Sequence, residues 1–250
     1  MRKILISLKI STLPFSEALA NTLEFAIKRK YAYACFANVH MLVEAWDDPA
    51  MKSAVNNADF VFADGMPVAK GLSFVYGESH ERIAGMDFIG PFLRLLDENK
   101  LRLVVFGGSE SSHSEAQRQF GQRFPGIELA FICPPHRIWT PEENLNWIRQ
   151  INDLEPHVVF VILGCPKQEM WMATHSKQIP GLLLGLGGAL PTVLGIQKRA
   201  PSWMQVLMLE WLFRLIQEPG RLWKRYAYTN LKFIGLFGWF LLFGHKSMKE

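Results

Sequence analysis

Short apolar runs rich in β-branched and aromatic residues alternate along most of the chain with longer stretches whose apolar positions recur at helical spacing. The runs Lys3–Leu8, Tyr33–Ala37, Phe60–Ala63, Arg102–Phe106, Glu128–Ile132, Val158–Leu163 and Gly181–Leu186 predict strands. The stretches Ser16–Lys30, Met41–Trp46, Pro67–Val75, Met86–Asn99, Ser111–Arg123, Pro141–Asn152 and Pro166–Gln178 predict the helices between them. Strands alternating with helices imply an α/β fold, a Rossmann-like and largely parallel sheet flanked by helices. No internal repeat or low-complexity stretch interrupts it.

After about Gly195 the pattern changes, which divides the chain into an α/β catalytic core at 1–195 and a helical C-terminal appendage at 196–250. Arg199-Ala200-Pro201-Ser202-Trp203 opens an expected helix, Met204–Gln217, and Pro219-Gly220 breaks it. Arg221, Lys224 and Arg225 then stand among Leu222, Trp223, Tyr226 and Tyr228, and Phe233–Gly244 carries no charge. That run is shorter than the roughly 20 residues that span a bilayer. It is expected to lie in the membrane interface, with Arg214, Arg221, Lys224, Arg225 and Lys232 meeting lipid phosphates. The other readings are a helix packed on its own core and a homo-oligomer interface.

A chain of 250 residues has room for this domain and its appendage. A net charge of +4 does not require a nucleic-acid partner. The three cysteines, Cys35, Cys133 and Cys165, have neither disulfide-framework nor zinc spacing, which fits a reducing cytoplasm. The start reaches polar Ser11-Thr12-Leu13-Pro14 too early for a secretory leader and reads as a first strand. There is no Asp-x-Asp, and the histidines at 40, 80, 113, 136, 157, 175 and 245 lack ligand spacing, so no metal and no cofactor are expected.

In parallel sheets the loops at the carboxyl ends of strands carry the chemistry. Asp64-Gly65 follows an apolar strand, so Asp64 is either a general base facing a cleft or a turn residue. Gly164-Cys165-Pro166-Lys167-Gln168-Glu169 reads as strand, turn and helix start, with Lys167 or Gln168 touching a polar ligand and Glu169 favourable at the helix N-terminus. Gly107-Gly108 and Gly187-Gly188 either admit a diphosphate or simply make tight turns. Neither forms the spaced glycine fingerprint of dinucleotide enzymes, which weighs against a nucleotide-binding oxidoreductase. In Glu81-Arg82-Ile83-Ala84-Gly85-Met86-Asp87, Arg82 offers a fork for phosphate or forms a solvated ion pair.

Taken in order, Asn38-Val39-His40-Met41-Leu42, Ala63-Asp64-Gly65-Met66-Pro67, Glu81–Asp87, Phe106-Gly107-Gly108, Leu163–Glu169, Gly187-Gly188, Arg199–Trp203, Glu210-Trp211-Leu212-Phe213-Arg214 and Glu218-Pro219-Gly220-Arg221 resemble the WecG/TagA/CpsF family of bacterial glycosyltransferases. The resemblance implies a metal-independent, inverting hexosyltransferase. Its donor would be a UDP-sugar of N-acetylmannosamine, N-acetylmannosaminuronic acid or glucose type. Its acceptor would be an undecaprenyl-diphosphate-linked sugar used in a surface polysaccharide or wall polymer. It further implies a protein of the bacterial cytoplasm, peripherally bound to the inner face of the cytoplasmic membrane, whose appendage closes the site. Asp64 would be the base, Gln168 would line the pocket, and Arg214, Arg221 and Arg225 would engage the lipid or leaving-group diphosphate. Asn38, Arg82, Asp87, Gly107, Gly108, Lys167, Glu169, Gly187 and Gly188 complete the expected substrate-binding set. One carboxylate suffices for single displacement, whereas retention also needs a nucleophile. The sequence departs from the family pattern in two places: Phe36 stands where many members have Thr, and Gly187-Gly188-Ala189-Leu190-Pro191 where many read Gly-Gly-x-Phe-Asp, and the loss of that Asp bears on the donor sugar. A catalytically degenerate scaffold of a polysaccharide assembly complex is the alternative.

Overall fold

The chain opens with an antiparallel hairpin, β1 (Arg2–Leu5) and β2 (Leu8–Ser11), in the computed structural model, which describes residues 1–187, 198, 200, 201, 203, 204 and 209–244. Of these, Glu110, Ser111, Ser112, Glu115 and Arg221 are described by backbone alone. The hairpin corrects the expectation of one strand at Lys3–Leu8. The turn falls at Ile6-Ser7, with Ile6 at φ 57°, and it is held by the Ser7 hydroxyl donating to the Leu42 carbonyl at 2.9 Å. An apolar side chain at the turn concealed it, because Ile is an unusual choice at positive φ.

After α1 (Phe15–Ile27), β3 (Ala32–Ala37) starts the main sheet. It is followed by α2 (Val39–Asp47), α3 (Pro49–Asn56) and β4 (Phe60–Ala63). Where one short helix was expected there are two. Pro49 cannot continue α2, and the Asp48 carboxylate accepts from Ala50 N at 2.8 Å to cap α3. Then come α4 (Met66–Tyr76), α5 (Gly85–Glu98), β5 (Arg102–Gly107), α6 (Glu110–Arg123), β6 (Glu128–Ile132), α7 (Pro141–Asp153), β7 (Val158–Ile162), α8 (Lys167–His175) and β8 (Leu182–Gly185). Among the described residues the main sheet has six strands in the order β4-β3-β8-β7-β5-β6, all parallel. The expected α/β class is therefore present.

Successive strand residues point to opposite faces, and both faces are covered, so the strands read as continuous apolar runs. Cys35, Ala37, Val61, Val104, Val159 and Leu183 meet the hairpin, α2, α3, α4, α7 and α8. Ala34, Phe36, Phe62, Val105, Phe160 and Leu184 meet α1, α5 and α6. Phe88 of α5 packs against Phe36 and Phe62, with ring centroids 5.5 and 5.6 Å away. Each such fully buried side chain stabilises the fold by roughly 1.5–3 kcal/mol.

The tail contains α9 (Glu210–Gln217) and α10 (Pro219–Trp239), separated by Glu218 with Pro219 in the first turn of α10. The expected break is present, and α9 occupies the end of the expected Met204–Gln217 helix, whose residues 205–208 lie outside the described ones. The 195/196 boundary also lies outside them. Helix α10 lies on α2, with Trp239 edge-on to Trp46 at 5.5 Å and Phe237 against Phe74 at 6.3 Å. Tyr228 Oη donates to Asp47 Oδ2 at 3.0 Å, and Lys232 pairs with the same carboxylate. No helix among the described residues is long and apolar enough to cross a membrane.

Candidate active site

Parallel register brings the expected residues to one edge. Ala37 of β3 stands opposite Ala63 of β4, so Asn38 and Asp64 leave adjacent strands side by side. Asp64 N donates to the Ala37 carbonyl at 2.9 Å, and Ile83 N donates to the Ala63 carbonyl at 2.9 Å. The second bond draws the loop that carries Arg82 across the end of β4. Asn38 Oδ1 accepts from Met41 N at 3.1 Å and caps α2, which leaves its amide NH2 to serve the Asp64 carboxylate. Gly85 N–H donates to the same carboxylate.

Asp64 is half-buried: protein crowds it except where it meets solvent. Burial raises its pKa to about 6, against the opposing pull of Arg214, Arg82, the Gly85 N–H and Asn38. A carboxyl group tuned in this way can accept a proton near neutral pH. Arg82 Nη2 donates to Asp87 Oδ2 at 2.5 Å and Nη1 to Glu210 Oε2 at 2.7 Å. Arg214 reaches the site from α9, its Nη2 lying 3.4 Å from Met86 Sδ.

Beside this cluster is a second tail arginine, Arg225. His40 Nε2 lies 3.2 Å from Glu44 Oε1, and burial together with Arg225 lowers the His40 pKa to about 4. The imidazole is thus neutral at pH 7. Arg225 Nε is buried without a hydrogen-bond partner among the described residues. Arg221 lies in the first turn of α10.

Across β3, Gln168 stands over the end of β8. A Cβ added at Gly185 would lie 3.2 Å from Gln168 Nε2, and one at Gly187 would lie 3.5 Å from its Oε1. Gln168 Nε2 donates to Glu169 Oε1 at 2.6 Å, while Gln168 Oε1 is buried with no partner among the described residues. Glu169 is fully enclosed, and burial raises its pKa against the hydrogen bonds from Gln168 and Cys165. Burial also pushes up the thiols of Cys35 and Cys165, which makes both poor nucleophiles.

The remaining expected residues sit farther along the edge, toward β5. Gly107 is forced by packing: its φ is +109°, and a Cβ there would meet Ile162 O at 2.4 Å. The Gly107 carbonyl lies 2.7 Å from His113 Nε2, and the Gly108 carbonyl accepts from the Cys133 thiol at 3.1 Å. Lys167 is exposed and stands 3.9 Å over the Trp139 ring, which is itself edge-on to Phe106 at 5.8 Å. Asn38, Asp64, Arg82, Asp87 and Arg214 are therefore one cluster, with Gln168, Glu169 and Gly187 next to it. Gly107, Gly108 and Lys167 are not part of it, and Gly188 lies outside the described residues. Among the described residues no three His, Cys, Asp or Glu side chains converge as a protein-held metal needs. Sequence reading did not single out Gly85, His40 or Glu210 as site residues. A signal for Glu210 existed, since it stands four residues before Arg214 on an otherwise apolar segment.

An ionisable carboxylate beside guanidinium groups suits deprotonation of a hydroxyl next to a bound diphosphate. The N-acetylglucosaminyldiphosphoundecaprenol N-acetyl-beta-D-mannosaminyltransferase of Bacillus spizizenii is 30% identical over 199 residues, 79% of this chain and 76% of that protein. The enzymes of the same name from Staphylococcus aureus strains MW2 and MRSA252 are each 28% identical over 215 residues, 86% of this chain and 81% of theirs. The model of the "Glycosyl transferase WecG/TagA/CpsF family" matches residues 3–246, nearly the whole chain, which therefore belongs to that family of glycosyltransferases.

Proposed function

We propose that this glycosyltransferase moves an N-acetylmannosaminyl-type sugar from a UDP donor to an N-acetylglucosaminyl-diphosphoundecaprenol acceptor. The observation that carries the reading is Asp64, a half-buried carboxyl group beside Arg214 and Arg82 whose pKa burial raises to about 6. The acceptor and the transferred sugar are those in the relatives' names. As the acceptor hydroxyl oxygen bonds to the anomeric carbon, its proton passes to Asp64 and the bond to UDP breaks. Attack from the face opposite UDP inverts the anomeric centre, in keeping with a β-linked product from an α-linked donor. Arg214, Arg221 and Arg225 meet the charge of the donor or acceptor diphosphate, Arg225 with its unpartnered Nε. Asn38, Arg82 and Asp87 shape the Asp64 side of the pocket. Gln168 Oε1 offers an acceptor to a sugar hydroxyl or amide, with Gly187 leaving room beside it.

The tail from 196 onward closes this site and rests on the membrane that holds the acceptor. Trp223, Ala227, Leu231 and Ile234 recur every three or four residues on the outer side of α10, and Leu242 and Phe243 follow them, all exposed. With Lys224 and Tyr228 alongside, this is the composition of an interfacial helix at the inner face of a cytoplasmic membrane.

The test is incubation with UDP-N-acetylmannosamine, its uronic acid and UDP-glucose, each with a short-chain prenyl-diphosphate-linked N-acetylglucosamine, followed by mass measurement of the product. Addition of one N-acetylhexosamine is expected. Addition of glucose or of the uronic acid alone would overturn the donor assignment, and no product from any pair would overturn the reading.

A further inference from the structure

Arg82 does not present an open fork to a ligand. Its two terminal nitrogens bridge Asp87, in the first turn of α5, and Glu210, the first residue of α9. The Arg82 and Glu210 side chains are only 18% and 19% exposed, so the pair is partly withdrawn from water, where charge-assisted bonds are strengthened. Among the described residues helix α9 is otherwise held by the edge-on contact of Trp211 with Tyr226 of α10 at 5.9 Å and by the half-buried Leu212, Phe213 and Leu215. It spans eight residues, none of them fully buried, and Ile216 faces solvent. So short a helix is marginal without tertiary contacts. Glu210 and Arg214 lie one turn apart on one side of α9, and Arg214 extends to Met86, the neighbour of Asp87.

We infer that Glu210 is a positioning residue for sugar transfer: by sharing Arg82 with Asp87 it seats α9 so that Arg214 stands beside Asp64. This rests on the proposed role of Asp64 as the base. The charged groups acting on Asp64 are Arg214 from α9 and Arg82 from the loop before α5, and both favour its ionised form. An unseated α9 withdraws Arg214, so Asp64 holds its proton more tightly and needs a higher pH to act.

The test uses the full chain with Glu210→Gln, which keeps shape and loses charge, and Glu210→Asp, which keeps charge on a shorter arm. Three quantities are read: kcat, the acidic limb of the kcat/KM pH profile, and the rate of tryptic cleavage after Arg214 without substrates. For Glu210→Gln, kcat should fall by on the order of 10- to 100-fold, the scale of a small misplacement in a site. Its acidic limb should move to higher pH and its cleavage should accelerate, and Glu210→Asp should recover part of each. A limb and a cleavage rate both unchanged in Glu210→Gln would overturn the inference, even if turnover fell. If Glu210→Gln does not fold, Glu210→Asp carries the same three readings, with smaller displacements expected and none overturning the inference. Failure of the functional reading looks different: the wild-type protein then transfers no sugar, while cleavage after Arg214 still reports the seat of α9.

Discussion

The two halves of the sheet's carboxyl edge each hold a carboxyl group deprived of water, and they use it differently. At the β3 and β4 end, Asp64 keeps an opening to solvent and is answered by Arg214, Arg82, the Gly85 N–H and Asn38. At the β7 and β8 end, Glu169 is sealed and has an amide and a thiol for company, with no cation among the described residues to oppose the effect of burial. Desolvation raises both pKa values. Access and compensating charge make one a candidate base, and their absence makes the other part of the scaffold that orients Gln168.

The largest expected effect follows from Asp64→Asn. Removing a general base lowers transfer by about 10²- to 10⁴-fold. Stability should move the other way. The Asp64 pKa rises from 3.8 to about 6 on folding, so its contribution is complete below 3.8 and is lost as pH rises through 6. At pH 7 the ionised group therefore opposes folding. A shift of this size corresponds to at most about 3 kcal/mol, and partial solvent access reduces the expected gain to roughly 1–2 kcal/mol. Urea titrations of both proteins at pH 7 and pH 4 check this, with the gain vanishing at the lower pH. In the wild type, kcat/KM should decline below about pH 6. An Asn variant that lost stability at pH 7 would make Asp64 a structural residue and erase the contrast with Glu169.

Gly107→Ala tests the other half. Its Cβ would enter the Ile162 carbonyl of β7 at a position with φ +109°, and backbone atoms cannot step aside as a side chain can. The expected loss is about 2–4 kcal/mol, from overpacking added to left-handed strain. If the variant unfolded at the wild-type urea concentration but bound donor more weakly, Gly107 would return to the pocket where sequence reading had placed it.

How much of this was legible depended on whether a feature is carried by one segment or by two. The central strands other than the edge strand β6 were visible as apolar runs because burial on both faces leaves almost no polar residue to interrupt them. Asp64 was visible because it ends such a run. The hairpin was hidden by the apolar Ile6 at its turn, and α3 by its start, where Pro49 reads as an end to α2 until Asp48 is seen to cap a new helix. For Arg82 the sequence left a phosphate fork and an ion pair both open: Asp87 is a partner five positions away, but nothing local reveals Glu210, 128 positions away. For Gly107 and Gly108 a diphosphate loop and a tight turn both stayed open, because a sequence does not separate a glycine needed by a ligand from one needed by the next strand.

The tail offers a smaller effect, confined to one face. Leu231 and Ile234 are 73% and 68% exposed and contribute little to packing, while Phe233, Leu236 and Phe237 pack against the core. Leu231→Glu combined with Ile234→Glu should leave the melting temperature unchanged. Binding to anionic vesicles should fall by about 10- to 100-fold, since each side chain forfeits up to about 1.5–3 kcal/mol of apolar transfer. Co-sedimentation measures it. Undiminished binding would assign that face to something other than the lipid surface.

The smallest change in turnover is expected from Glu169→Gln, and its direction sharpens the comparison most. The replacement is nearly isosteric, and its amide oxygen can accept the bond that Gln168 Nε2 now gives to Glu169 Oε1. Gln168 then keeps its orientation, and transfer should stay within about threefold of wild type, since a retained hydrogen bond changes little. Stability carries the signal. The carboxyl pKa of Glu169 is raised from 4.5 on folding, so its contribution is complete below 4.5 and diminishes as pH rises toward the folded value. Glutamine does not titrate, and the variant should match wild type near pH 4 and exceed it increasingly toward pH 8. Asp64→Asn shows the same sign with activity destroyed, whereas Glu169→Gln should show it with activity kept. A Glu169→Gln protein as inactive as Asp64→Asn would mean that the sealed carboxyl group takes part in proton transfer, and the division of labour along the sheet edge would have to be redrawn.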